Sequence, residues 1–457
     1  MIMKKQFYLF FLLLLCSGEL IAQKSDNNSS LDNYLQVEGL LRYFTMVRKY
    51  EEYPIDTSPT EYQTKRSSNA VGLQLALQTK PLHHWSVGAA VYTSQPIFNN
   101  PKDEGGLQLL QNDQSGFTVL GEAFVQYQDK YNLFKIGRQK LSDYRFLADC
   151  DVRMAPNTYE AAIIENRKLQ DITLRAAVVS GVKKVASTEF IDFINASKNL
   201  FREEPIQRNP IRGDYDPNNY DENGNYIGPR ENLYLASMVY KTKKYSYEIW
   251  NYFVPDFVNF FYTTATYNFH NKLFKNSISF QYVQQNDVGK HVAGNINTYE
   301  YGVHFQSTYK NLQIIYAFNK VKYDENSLDG GSIIDMWGND ILYGGLFENG
   351  ADQAGTVANT IIVSYDMDPF TVAICAGHYD LPNNMQDLFA EQDNNEYDLF
   401  IKYNPKWNKN LMVKTELIYV DFDTSYDFKT YEELHGYDTL HSYDNILDMR
   451  FVVNYTF

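Results

Sequence analysis

The stretch Ile446-Leu447-Asp448-Met449-Arg450-Phe451-Val452-Val453-Asn454-Tyr455-Thr456-Phe457 decides the fold, because it alternates without a break. Leu447, Met449, Phe451, Val453, Tyr455 and Phe457 fall on one face of an extended chain. Asp448, Arg450, Asn454 and Thr456 share the other with Ile446 and Val452. A half-buried strand of a soluble sheet shows period-two patterning as well. A strand of about ten residues, apolar on one side, polar on the other and closing on an aromatic, fits better as the last strand of a transmembrane β-barrel.

Lys4 and Lys5 precede an apolar run from Phe7 to Leu15, and a polar stretch from Ser17 to Gln23 contains Ala22 as a small residue suited to cleavage. The run is too short to cross a bilayer, so residues 1–22 read as a secretory signal peptide and 23–457 as a single outer-membrane β-barrel domain. A lipoprotein start at Cys16 fits poorly, because Leu15 stands where a small residue is wanted. Beyond the leader no run of 18 apolar residues occurs, the chain holds 38 Tyr and 29 Phe, and its mean hydropathy is −0.44. Helical membrane proteins are excluded by that pattern, whereas a barrel with aromatic girdles and every second residue in water accounts for it. A formal charge of −15 argues against a protein that tracks nucleic-acid phosphates. Cys150 and Cys375 stand in no metal-binding or redox spacing and read as isolated thiols.

Alternating segments lie near 34–48, 68–80, 84–95, 117–129, 132–141, 157–167, 170–182, 231–241 and 244–254. They continue near 257–270, 275–287, 297–309, 312–322, 357–367, 370–379, 395–404, 410–421 and 445–457. That is an even count of about eighteen, as a single-chain bacterial barrel requires. Short turns such as Lys80–His83, Lys130–Tyr131, Thr242–Lys243 and Asp368–Pro369 alternate with connections that are mostly long, Pro255–Asp256 being a tight exception. Periplasmic turns and extracellular loops produce this rhythm and put both termini on the periplasmic side, where the first and last strands pair. No repeat of 20–50 residues is visible, against a propeller or solenoid.

Gly137-Arg138-Gln139-Lys140-Leu141, followed by Asp151-Val152-Arg153-Met154-Ala155-Pro156-Asn157-Thr158-Tyr159-Glu160, resembles the OprD-type outer-membrane porins, in which a GRQ-like strand end leads through an inward loop to a D-x-R-x-x-P-x-T-[FY]-E block. Asn395–Leu399 and Asp448–Tyr455 are similar to the late strands of that family. The resemblance covers most of the chain in strand order, but only the 137–160 block is specific. It implies an eighteen-strand fold and a selective channel for small, often carboxylate-bearing solutes.

The 137–160 block has its own physical reading. Asp143, Arg145, Asp149, Asp151 and Arg153 crowd the third long connection, and a loop so charged belongs in an aqueous passage, where it would form the constriction. Arg153 suits a solute carboxylate and Asp149 or Asp151 an ammonium, unless these charges pair with one another and staple the loop to the wall. Strand phase, with the aromatic and aliphatic series taken as lipid-facing and the lumen as the cheaper place for a charge, adds Glu38, Arg42, Glu122, Arg138, Glu160, Arg175, Glu248, Glu300, His304, Lys414, Glu416 and Arg450 to the lining, although Phe134 and Ile136 share the face of Arg138. The specific expectation is a basic track of Arg42, Arg138, Arg153, Arg175, Lys414 and Arg450 opposed by Glu122 and Glu160. The plainer one is a set of ion pairs that brace the wall.

The segment 214–225 is rich in oxygen ligands but lacks EF-hand spacing, and His83-His84 reads as a polar turn, so neither metal nor cofactor is expected. A barrel enzyme lacks any evident nucleophile–base pair, and an energised receptor lacks room for a plug before the first strand. The leading expectation is a passive porin whose partners are outer-membrane lipid, small solutes and ions, with a homo-oligomer left open. An adhesin or structural barrel that binds a partner through its long loops is the alternative.

Overall fold

The structure is a computed structural model that describes residues 34–53, 65–198, 226–324, 326–334, 342–381, 393–423 and 442–457, without the side chains of 51–53, 103, 198, 329 and 442–444. The expected signal peptide and the 214–225 segment lie outside the described residues. In chain order the strands are β1 (Leu35–Tyr53), β2 (Lys65–Thr79), β3 (Trp85–Pro96), β4 (Phe117–Gln128), β5 (Asn132–Gln139), β6 (Thr158–Asn166), β7 (Ile172–Lys183), β8 (Leu233–Lys241) and β9 (Tyr245–Val254). They continue as β10 (Val258–His270), β11 (Phe274–Asp287), β12 (Asn297–Tyr309), β13 (Leu312–Val321), β14 (Val357–Met367), β15 (Phe370–Asp380), β16 (Asn394–Tyr403), β17 (Leu411–Phe422) and β18 (Ser442–Thr456).

Every strand is antiparallel to its sequence neighbours, and β1 pairs with β18, so the 18-stranded sheet closes on itself. Closure removes both sheet edges, the condition for crossing hydrocarbon with strands. At the seam Gly39 N donates to Phe457 O at 2.8 Å and Phe457 N to Gly39 O at 2.9 Å. The Phe457 ring lies where a side chain on residue 39 would stand, since a Cβ there would fall 2.1 Å from its Cζ. β1 and β18 run further than the alternation predicts, to Tyr53 and from Ser442. The ladder needs no apolar face once it rises into water, so polar residues such as Lys49 and Glu51 extend it.

Local chemistry makes the short turns. His83 and His84 (φ 49° and 75°) form a two-residue reversal between Leu82 and Trp85, whose backbones exchange hydrogen bonds of 2.8 and 3.0 Å. The Asp129 carboxylate accepts from the N–H groups of Tyr131 and Asn132, both at 2.7 Å, which holds it down at about 2. Thr242 and Asn271 accept backbone N–H groups in the same way at their turns. At this end of the barrel, aromatic rings stack outward, Tyr245 on Tyr267 at 5.4 Å and Phe370 on Tyr403 at 4.8 Å. They form the periplasmic girdle below an exposed aliphatic band that includes Val91, Leu120, Ile136, Ile164 and Ile374.

Inward connections fill part of the barrel interior. One buried cluster joins the inner faces of β6–β10 to Leu141, Tyr144, Phe146 and Leu147, and another joins those of β1–β4 to Leu107, Leu109, Leu110, Met154 and Ala155. Two connections predicted as loops therefore fold inward, around residues 107–110 and 141–156. A helical turn, α1 (Phe193–Lys198), packs beside β7, with Phe193 and Ile194 in the first cluster.

Candidate pore constriction

The 141–156 segment crosses the lumen because its two halves suit opposite walls. Its first half is apolar: Phe146 is fully buried and meets Phe260, Tyr262 and Tyr252 edge-on at 4.3, 5.5 and 6.1 Å, while Tyr144 meets Trp250 at 5.9 Å. Polar ties fix the same half. Arg145 forks onto Glu248 through Nε at 3.0 Å and Nη2 at 2.9 Å, Trp250 Nε1 donates to Glu248 at 3.0 Å, and Tyr252 Oη donates to Arg145 O at 2.5 Å. Left-handed backbone at Phe146 and Cys150 (φ 55° and 38°) turns the chain toward the other wall.

There the second half is held by β1 and β2. Arg42 grips both carboxylate oxygens of Asp151 at 2.9 and 3.1 Å and also donates to Arg153 O and to Asn454 Oδ1. Gln74 Nε2 adds bonds of 3.0 Å to Asp151 and 3.2 Å to Met154 O. Asp149 accepts from Ser142 Oγ at 3.1 Å, within the loop itself.

Arg153 is the exception in this paired set. Its Nη1 donates only to the neighbouring Val152 O, its buried Nε has no partner, and no carboxylate among the described residues forms an ion pair with it. Burial, together with the nearby charges of Arg450 and Arg48, pushes its guanidinium down to about 10, still protonated at neutral pH.

Facing it is an ionic cluster on β1, β17 and β18. Arg48 Nη2 lies 2.5 and 2.6 Å from the two oxygens of Glu348 and 2.8 Å from Asp448. Arg450 is 2.6 Å from Asp448, 3.5 Å from Glu348 and 3.8 Å from Glu416, and stacks on Phe347 at 4.3 Å. Lys414 pairs with Glu416 at 2.5 Å. On the opposite wall Arg175 pairs with Glu165 at 3.4 Å, between the rings of Tyr144 and Trp250. Glu122 accepts from Tyr92 Oη at 2.5 Å. Glu38 lies exposed on β1, Glu300 is fully buried on β12 with neither oxygen bonded among the described residues, and His304 tilts against Tyr343 at 5.3 Å.

Two expected lining residues are not in the lumen. Glu160 alternates with Tyr159 and Ala161, which are buried in the interior cluster, so it points outward with Ala162 and the exposed Ile164. Arg138 is register-paired with Glu160 and shares the face of the exposed Ile136. Both belong to the outer wall, and the expected basic track loses one member and one of its two acidic opponents.

A further inward segment, Leu342–Asn349, went unread in the sequence. It comes from the long connection between β13 and β14 and lays its backbone across inward polar side chains. Tyr343 N donates to Gln281 Oε1 at 3.0 Å and Gly344 N to Asn319 Oδ1 at 2.7 Å. The Glu396 carboxylate takes the N–H groups of Phe347, Glu348 and Asn349 at 2.9, 2.8 and 2.9 Å, and Asn349 Nδ2 at 2.7 Å. This docking delivers Glu348 to Arg48 and Arg450. Of these residues, Arg48 alone carried a readable signal, since it keeps the inward parity of Arg42 on β1.

A closed eighteen-stranded antiparallel barrel with an outward apolar band and an inward loop is the fold of porin-type transmembrane β-barrels. Solved structures agree. Pseudomonas aeruginosa OccK9 (OpdG) superposes with a TM-score of 0.70 at 13% identity, covering 92% of this chain and 98% of that one. Acinetobacter baumannii OccAB3 gives 0.69 at 13% identity over 93% and 99%, and P. aeruginosa OpdK, in a structure with vanillate, gives 0.68 at 14% over 93% and 99%. No protein-family model and no curated protein matches the sequence. The chain thus shares the fold of the OprD-type channels that the 137–160 block resembles.

Proposed function

We propose that this protein is a passive, selective diffusion channel for small hydrophilic solutes and ions, with a constriction that favours carboxylate-bearing or zwitterionic molecules. One observation carries the reading: on a loop where Arg145, Asp149 and Asp151 are tied to the wall or within the loop and Asp143 is exposed, Arg153 keeps a guanidinium with no carboxylate partner among the described residues, beside Arg48 and Arg450. An anion passing that point exchanges part of its hydration for donors already in place. Glu348 and Asp448 balance the neighbouring arginines, so the local field is positive without forming a trap from which a solute could not leave. Of the expected track, Arg153 and Arg450 lie beside Arg48, whereas Arg42, Arg175 and Lys414 are held by Asp151, Glu165 and Glu416.

Reversal potentials across a salt gradient in planar bilayers test this. Arg153→Ala should lose about 1 kcal/mol of anion stabilisation, about a fivefold shift of the permeability ratio toward cations. A folded variant with the wild-type reversal potential would sink the assignment.

A further inference from the structure

Arg138, Glu160 and Arg230 form an ion triad on the lipid side of the wall, at the ends of β5–β7 that lead into the long connections. Arg138 Nε and Nη2 lie 3.2 and 3.1 Å from Glu160 Oε1, and Arg138 Nη1 donates to Leu120 O at 3.4 Å. Arg230 Nη2 is 3.5 Å from Glu160 Oε2, and its Nε donates to Ser180 O at 2.9 Å. Phe190 covers the Arg138 guanidinium at 4.4 Å. Gly181 provides a bare floor, since a Cβ there would fall 2.3 Å from Arg230 Nη2.

Two guanidiniums share one carboxylate, which leaves one positive charge in excess on an outward face. Both arginines remain open to the surroundings, with side chains 38% and 48% exposed, and their bonds to Glu160 and the backbone leave N–H donors over. A charge aimed at lipid is costly near the midplane and cheap at the interface. The triad sits at the interface: the outward residues Val178, Tyr234 and Phe253 are register partners across β7–β9, and Glu160, opposite Gly181, lies beyond that level toward the long connections. Below it the surface is aliphatic, with Leu120, Ile136 and Ile164 exposed. A cationic cradle above an apolar wall, with an aromatic pair at the boundary, matches an amphiphile with an anionic head.

We propose that Arg138 and Arg230 bind the phosphate of a phosphorylated lipid in the extracellular leaflet, the guanidiniums contacting phosphate oxygens while the acyl chains lie along Leu120, Ile136 and Ile164. Glu160 orients the two arginines and limits their affinity. None of these groups reaches the lumen, so the inference stands apart from the channel reading.

The test is native mass spectrometry of the detergent-purified full chain titrated with bisphosphorylated lipid A, its dephosphorylated form, and inorganic phosphate. Wild type should retain the phosphorylated lipid and not the dephosphorylated one. R138Q/R230Q should bind it about tenfold more weakly, whereas E160Q, which frees both guanidiniums, should bind it more tightly. The opposite signs separate a lipid site from a mere staple for the loop, which all three substitutions would weaken. Equal binding by R138Q/R230Q, weaker binding by E160Q, or full displacement of lipid by an equal concentration of inorganic phosphate would overturn the proposal. So would loss of a wild-type oligomer in R138Q/R230Q, which would assign the patch to a contact between copies of the chain.

Discussion

Of the segments that turn into the lumen, residues 141–156 and 342–349 meet the same ionic wall but are held there by different means. Residues 141–156 are anchored by burial: Leu141, Tyr144, Phe146, Leu147, Met154 and Ala155 all lie in the two interior clusters. Residues 342–349 fully bury only Leu342 and Gly344, with Leu346 and Phe347 packed at the edges of two small clusters, and hang largely on backbone N–H groups given to Gln281, Asn319 and Glu396. Apolar anchoring is spread over many contacts and degrades gradually. Anchoring on a few acceptors, with three N–H groups on the one carboxylate of Glu396, is concentrated and more sensitive to a single substitution.

Glu396→Ala should therefore have the largest effect. It strands three N–H groups, and hydrogen exchange at Phe347, Glu348 and Asn349 should accelerate about a hundredfold, corresponding to ~3 kcal/mol of lost local protection. Single-channel recordings should become noisier as Glu348 leaves Arg48 and Arg450. Unchanged exchange at those amides would mean that this segment, too, is held by packing.

Asp151→Asn removes the ion pair to Arg42 but leaves Met154 and Ala155 buried. With the carboxylate about a third exposed, the expected loss is only about 1 kcal/mol in denaturant unfolding, with the loop still in place. A conductance jump to an open-barrel level in this variant would show that the loop depends on its charges and would erase the contrast with 342–349.

Tyr252→Phe is the mildest probe, deleting one hydrogen bond to Arg145 O beneath the Phe146 cluster. A change of about 1 kcal/mol in stability, with no change of ion preference, is expected. A selectivity shift as large as that of Arg153→Ala would place the Arg145–Glu248 pair in the permeation path rather than in the wall.

The barrel was legible because alternation is written locally, strand by strand, and residues such as Asp129, Thr242 and Asn271 announce their turns. The 141–156 segment was legible because its charges are consecutive. The docking of 342–349 was not, since its acceptors are scattered over β11, β13 and β16 and none is unusual in its own strand. Arg138 and Glu160 were misplaced for a related reason. Assigning charges to the lumen overrode the outward parity of Ile136 and Ile164, and the third member that makes an outward pair tolerable, Arg230, lies in a different connection. Arg48 fell just where the expected first strand stopped, although its parity with Arg42 was there to be followed.

The seam between β1 and β18 has a consequence for the order of events in folding. The bond from Arg42 to Asn454 joins positions 412 residues apart. Hairpins such as β2–β3, closed by two histidines, can form as soon as both strands are available. Bringing the ends of the wall together would cost about 5 kcal/mol of chain entropy beyond the constant for a short loop if the chain between them were still flexible, and hairpins formed first lower that cost. Until that meeting the sheet carries two unsatisfied edges, and its first strand must wait for its last. A wall built hairpin by hairpin leaves the β1–β18 pairing to the end, and the interval before it is when its open edges can pair with other strands.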